Sequence, residues 1–168
     1  DATAKLRFFA PGGSPMGGEV ALPGAVSQFG MAMTAMGDMV AIVVRRGDDL
    51  QYEGRDATGA LGVGPHTFHT LSAGAILTSL DVAFTGHELV VSLGTLTTFP
   101  WQEPRWLRIR PDRPSAAFSP AAISVGFFEG SATVTQQFDG EQFAFATSAG
   151  VSGLSTAFKL ERFVPPPS

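Results

Sequence analysis

Three glycines constrain this chain more than any other feature. Each occupies the same place in a short pattern: "AMGDMVAIVV" at 35–44, "FTGHELVVSL" at 84–93 and "FDGEQFAFAT" at 138–147. An apolar residue, a small or polar residue and Gly precede two mostly polar residues and a run of apolar and small ones. Gly37, Gly86 and Gly140 are 49 and 54 residues apart, a spacing that suits one supersecondary unit per period. Gly supplies the positive φ of a tight hairpin turn, and the apolar run after it can be buried on both faces. The pattern predicts three hairpins.

A second element follows each hairpin: "LQYEGRD" at 50–56, "WLRIRPD" at 106–112 and "AFKLERF" at 157–163. In "LQYEG" and "WLRIR" the side chains alternate with period two, which predicts outer strands with one face inward and the other toward solvent. The N-terminal "KLRFFAPGGSPMGGEVALPG" at 5–24 reads as the same outer strand, a Gly/Pro turn and a further edge strand, with no hairpin before it. The chain therefore reads as a phase-shifted array of about three hairpins and four outer strands. Its 168 residues suit one domain, placed at 1–163 with a Pro-rich tail at 164–168. Twenty Gly, twelve Pro and fourteen Phe suit many short strands and suit long helices badly, so the fold class is all-β.

These segments resemble the blades of bacterial secreted β-propeller repeat proteins, in which a Gly-turn hairpin is followed by a strand and a "dGxxxGG" turn. "FDGEQFAFAT" followed by "AFKLERF", and "LRFFAPGGSPMGGEVAL", carry the resemblance. It implies a propeller-type fold whose roughly three blades fall short of the four or more needed to close a ring. Completion is then expected from the N-terminal strands, from a second copy giving a six-bladed ring, from another subunit, or from a longer chain of which this is a fragment. A β-trefoil and a lectin-like β-sandwich are the alternative folds. The start at Asp1 reads as a processed or trimmed product.

Composition and motifs exclude more functions than they suggest. A net charge of −4, with Lys at positions 5 and 159 alone, offers no footprint for a phosphate backbone, so nucleic acid is not an expected partner. The cluster Arg105, Arg108, Arg110 and Arg113 reads as a charged strand face. The absence of Cys excludes disulfides and thiol chemistry, and no apolar run approaches a membrane span. His66 and His69 in "GPHTFHT" are the nearest thing to a metal pair, but residues three apart on a regular strand point to opposite faces, so no metal is expected. Neither "GGSPMGG" nor "AGVSGLS" has the spacing of a nucleophilic serine elbow. "GALGVGP" matches no phosphate or dinucleotide loop and reads as a loop between strands, and no cofactor is expected.

Asp38, Glu88, Asp139 and Glu141 sit beside the hairpin glycines and read first as turn residues. Arg46-Gly47-Asp48, a tripeptide that binds cell-surface receptors in some extracellular proteins, lies between an inner and an outer strand and reads as the shortest strand-to-strand turn. The equivalent region at 95–105 is longer and contains Trp101. The contact candidates are therefore Trp101, Gln102, Glu103 and Arg105, with Tyr52 on an outer strand, while Trp106 is expected to be buried.

The expected function is a non-catalytic, exported binding or scaffolding module presenting loops to a glycan or protein partner, as a homo-oligomer or an accessory subunit of a larger assembly. The alternative is a carbohydrate-active hydrolase that uses two carboxylates among Asp38, Asp81, Glu88, Asp139 and Glu141, provided the fold brings them into one cleft.

Overall fold

The computed structural model describes residues 3–25, 30–96, 105–112, 121–122, 131–140, 142–150 and 155–162, and all of its secondary structure is β. The strands form four antiparallel sheets. The first pairs β1 (Thr3–Phe9) with β2 (Pro15–Ala25); the second holds β3 (Met31–Met36), β4 (Met39–Arg46), β5 (Asp49–Asp56) and β6 (Leu61–Thr70). The third holds β7 (Ile76–Phe84), β8 (Leu89–Leu96), β9 (Arg105–Ile109) and β10 (Ala121–Ala122); the fourth holds β11 (Ser131–Phe138), β12 (Gln142–Gly150) and β13 (Ser155–Arg162). Every described strand pairs only with its neighbours in sequence, so each sheet is a meander and no closed barrel forms among them.

The three hairpins stand where the glycine pattern puts them. Gly37, Gly86 and Gly140 all have positive φ, at 64°, 95° and 108°. They fix a common register: Val43 lies opposite Tyr52, Ser92 opposite Trp106, and Ala146 opposite Phe158. Each of these small or β-branched residues is the sixth after its hairpin glycine, and each faces an aromatic position on the following strand. The inner strands run two or three residues beyond the apolar segments legible in the sequence, to Arg46, Leu96 and Gly150.

The sheets pack face on face through alternate residues. On β4, Ala41 and Val43 point to one side and Ile42 to the other, and all are fully buried. The first side joins Leu50, Tyr52 and Phe68 of its own sheet to Leu77, Val82, Leu89, Val91, Leu93, Leu107 and Ile109 of the third sheet. On the other side Ile42 meets Leu6 and Leu22 of the first sheet, with Phe8, Val20, Met31 and Val40 around them. The first strands of successive sheets approach one another, β3 against β7 and β7 against β11.

Two expectations are corrected here. β5 is not half exposed: Tyr52, Glu53, Gly54 and Arg55 are all buried, because the β1–β2 hairpin covers the polar face that alternation assigned to solvent. "GALGVGP" is not merely a loop, since β6 begins at Leu61 and runs through Gly62, Val63 and Gly64. Its glycines make room for neighbours: a Cβ on Gly62 would lie 3.2 Å from Met39 Sδ, and one on Gly64 only 2.6 Å from the Tyr52 carbonyl oxygen.

Leu107→Ala, which opens a cavity in the main joint, is expected to lower the unfolding free energy by about 2–4 kcal/mol. Gly64→Ala is expected to cost about 2 kcal/mol or more, because φ is +82° there and backbone blocks the Cβ. The exposed Ile76→Ala should stay within about 0.5 kcal/mol of the parent. Urea denaturation with an unchanged m-value checks all three.

Candidate functional site

The polar residues of the second and third sheets fall into two groups, one spent on holding sheets together and one left at the rim. The first group lies on the face of β4–β5 that the first sheet covers. Register places Gln51, Glu53 and Arg55 opposite Val44, Ile42 and Val40, so three polar side chains lie among aliphatic ones. Glu53 is 1% exposed and shared between two guanidinium groups, with Arg55 Nε donating to Oε1 at 2.7 Å and Arg46 Nη2 to Oε2 at 3.2 Å. Arg46 also donates to Gln51 Oε1 at 2.6 Å, and Arg55 to the Gly59 carbonyl at 2.8 Å. A buried charge is tolerated when it is paired and its remaining donors are used, which this arrangement achieves.

That network decides the reading of Arg46-Gly47-Asp48. Gly47, with φ of 63°, and Asp48 form the two-residue turn between Arg46 and Asp49, the last pair of the β4–β5 ladder. Arg46 is folded back along the sheet onto Gln51 and Glu53, while Arg45 clamps the turn through the Gly47 carbonyl and Asp48. The tripeptide is a turn whose arginine is engaged within the fold.

A second buried pair lies on the face of the third sheet that looks away from the second. Arg108 Nε donates to Glu88 Oε2 at 2.6 Å, and Glu88 is fully buried. Glu88 thus belongs to a turn by its backbone, whose carbonyl accepts from Thr85 N, but its carboxylate is an interior ion-pair partner. The pleat also splits the arginine cluster: Arg105 shares a face with Leu107 and Ile109, and Arg108 lies on the opposite one. Arg110 pairs with Asp112, and Arg113 lies outside the described residues.

The rim group sits where the second sheet meets β9. Tyr52 is fully buried, and its hydroxyl crosses the joint to donate to the Pro111 carbonyl at 3.0 Å. It lines the joint rather than a solvent-facing surface, and burial first, then the nearby Asp112 carboxylate, push its pKa up. The His66 ring lies tilted against it, with centroids 5.7 Å apart. Leu50 pairs with His69 but Gln51 with Thr67, so β6 carries an extra residue, Phe68. This bulge corrects the expectation that the two histidines diverge, because His66 and His69 pair with Tyr52 and Leu50, which share a face.

His69 is half buried at the same joint, and its pKa is lowered, first by burial and second by the positive charge of Arg105. Arg105 itself is exposed. The fold thus brings Arg105 and Tyr52 to one inter-sheet joint, while Trp101, Gln102 and Glu103 lie outside the described residues. Trp106 is half buried on the opposite face from Arg105. A neutral imidazole beside a guanidinium can hydrogen-bond hydroxyl or carboxylate groups of a ligand. Among the described residues no group of three or more His, Asp and Glu could hold a metal ion. Glu141 also lies outside the described residues, and Asp38 stands exposed at the β3–β4 turn.

The histidine pair was named from sequence but set aside by alternation, and the Glu53 network was not found there. The first had a signal, since "HTFHT" breaks strict alternation; the second did not, because "LQYEGR" alternates like any half-exposed strand. No protein-family model, curated protein or solved structure matches this chain.

Glu53→Gln would leave two guanidinium groups in the joint without a counter-charge and is expected to destabilise the fold by about 3 kcal/mol. Breaking the exposed Lys5–Glu19 pair by Glu19→Gln is expected to leave the denaturation midpoint unchanged. His69 gives a pH dependence. Its folded pKa lies below the ordinary histidine value of 6.5, so the unfolded chain binds the proton more readily. Its contribution is fully present above pH 6.5 and is lost as pH falls from there toward the folded pKa. Urea midpoints measured from pH 7.5 to pH 5 should fall more steeply for the parent than for His69→Gln.

Proposed function

We propose that the chain is a non-catalytic, exported binding or scaffolding module, built of blade-like sheets, that presents rim loops to a glycan or protein partner as part of a larger assembly. The observation that carries this reading is the division of its polar groups. The interior carboxylates Glu53 and Glu88 are each held by arginine, whereas Arg105 stays exposed beside half-buried His69, directly after the segment that contains Trp101. The hydroxyl of Tyr52 is committed to a backbone carbonyl and its ionisation is disfavoured, so the joint offers a contact surface and no activated nucleophile.

The blade reading draws on the two complete four-stranded meanders, the common register of the hairpins and the approach of β3, β7 and β11. Meanders placed side by side in this way form a rigid frame whose loops can vary without disturbing the joints.

The test is a glycan array probed with the intact chain, beside Arg105→Ala and Trp101→Ala. Binding to a defined glycan class, weakened about tenfold or more in both variants with unchanged melting temperature, is the expected result. A stoichiometric protein partner retained by the parent and lost with Arg105→Ala would make that partner the ligand instead. Neither glycan nor partner bound, or binding indifferent to both substitutions, would defeat the reading.

A further inference from the structure

Along the second and third sheets the arginines are matched to carboxylates. Arg45 meets Asp48, Arg46 and Arg55 share Glu53, Arg108 holds Glu88, and Arg110 pairs with Asp112. Arg105 is the exception: it is exposed, and among the described residues no carboxylate pairs with it. Its place on β9 sets it on the face that carries Leu107 and Ile109 toward the second sheet.

The second sheet meets this charge with a histidine. The extra residue Phe68 in β6 puts His69 opposite Leu50 and His66 opposite Tyr52, so both imidazoles share the face turned to the third sheet. His69 is half buried there, and burial first, then the Arg105 charge, hold its pKa below the ordinary histidine value. The other ionisable groups around it are engaged elsewhere. The Tyr52 hydroxyl donates to the Pro111 carbonyl, Asp112 pairs with Arg110, Asp48 with Arg45, and Asp49 accepts from Thr70. His66 stands exposed with its ring tilted against Tyr52. The joint therefore holds a guanidinium and an imidazole with no anion of the chain to neutralise them.

We propose that this joint binds the carboxylate of an acidic sugar, with Arg105 as its charge partner and His69 as a hydrogen-bond donor beside it. That the ligand is a glycan rests on the function proposed above; the carboxylate is the new element. One permanent cation, in a chain of net charge −4, suits a single negative charge, and the planar guanidinium fork matches a carboxylate. Exposed Asp48 and Asp112 flank the joint, at the turn before Leu50 and just beyond β9. Carboxylates there accept from sugar hydroxyls and repel a run of acidic side chains, so a uronic acid, with one carboxylate and several hydroxyls per ring, fits better than an acidic peptide. A bound anion also favours the imidazolium, so binding takes up a proton at His69 and tightens as pH falls.

Calorimetric titration of the intact chain tests it, with an oligoglucuronate and with the same oligomer carboxyl-reduced, which keeps the hydroxyls and removes the charge. The oligoglucuronate is expected to bind about tenfold or more tighter than its reduced form, and Arg105→Gln to erase that difference with an unchanged melting temperature. Lys5→Gln, which removes an equal charge from the first sheet, should leave it intact. Between pH 7.5 and pH 5.5 the parent should gain about threefold or more in affinity, and His69→Gln should lose that gain. Imidazole NMR gives a readout free of any variant: the His69 titration should move to higher pH when the oligoglucuronate is bound. Equal binding of the two oligomers, no binding of either, indifference to Arg105→Gln, or the same pH dependence in His69→Gln each overturns the proposal. Polyglutamate bound more tightly than oligoglucuronate would also overturn it, in favour of a protein carboxylate. Neutral glycans bound on the array, with none of the charge dependence, would overturn the carboxylate site and leave the glycan-binding module standing.

Discussion

The burial of β4 and β5 between two other sheets is the constraint on which the rest of this structure depends. A strand buried on both faces must supply apolar or neutralised groups at every position, and β4 does so with Ala41, Ile42, Val43 and Val44, all at zero exposure. β5 meets the same demand differently. Its Leu50 and Tyr52 join the apolar joint, whereas Glu53 and Arg55 face Ile42 and Val40 and can be buried only because they pair with each other and with Arg46. Hydrophobic area drives the stacking, and the ion pairs remove what would oppose it.

The same logic explains why the polar joints of the second and third sheets sit toward their third strands. Glu88 and Arg108 bridge β8 to β9 as Glu53, Arg55 and Arg46 bridge β4 to β5, and in both cases the charged pair shares a buried face with aliphatic residues. Such pairs contribute less to stability than to alignment, since a carboxylate displaced from its guanidinium would be left uncompensated. The Tyr52 hydroxyl adds a constraint between sheets by reaching Pro111. The rim at Arg105 and His69 is therefore carried on elements whose relative placement is fixed from within.

Much of this architecture was legible in the sequence. Gly37, Gly86 and Gly140 marked the hairpin turns because a tight turn needs positive φ, and Gly47 marked the β4–β5 turn for the same reason. The apolar runs after them gave the inner strands, and "KLRFFAPGGSPMGGEVAL" gave β1, its turn and β2. The candidate site was legible only in part. Arg105 and Tyr52 were named separately, but their meeting at one joint depends on how β5 lies against β9, which no local pattern encodes. His69 was set aside by the rule of alternation, and the bulge at Phe68 suspends that rule at this position.

What the sequence by itself determined is the set of hairpins, because turn chemistry and period-two alternation act within a few residues and leave their marks there. What only the tertiary structure decided is the fate of each strand's second face. Alternation states that two faces differ, but not what will cover them, so Gln51, Glu53 and Arg55 read as solvent-facing until the β1–β2 hairpin is laid over them. Burial depends on sheets distant in sequence, and there the pairing of Glu53 with Arg46 and Arg55 allows a polar face to become an interior one.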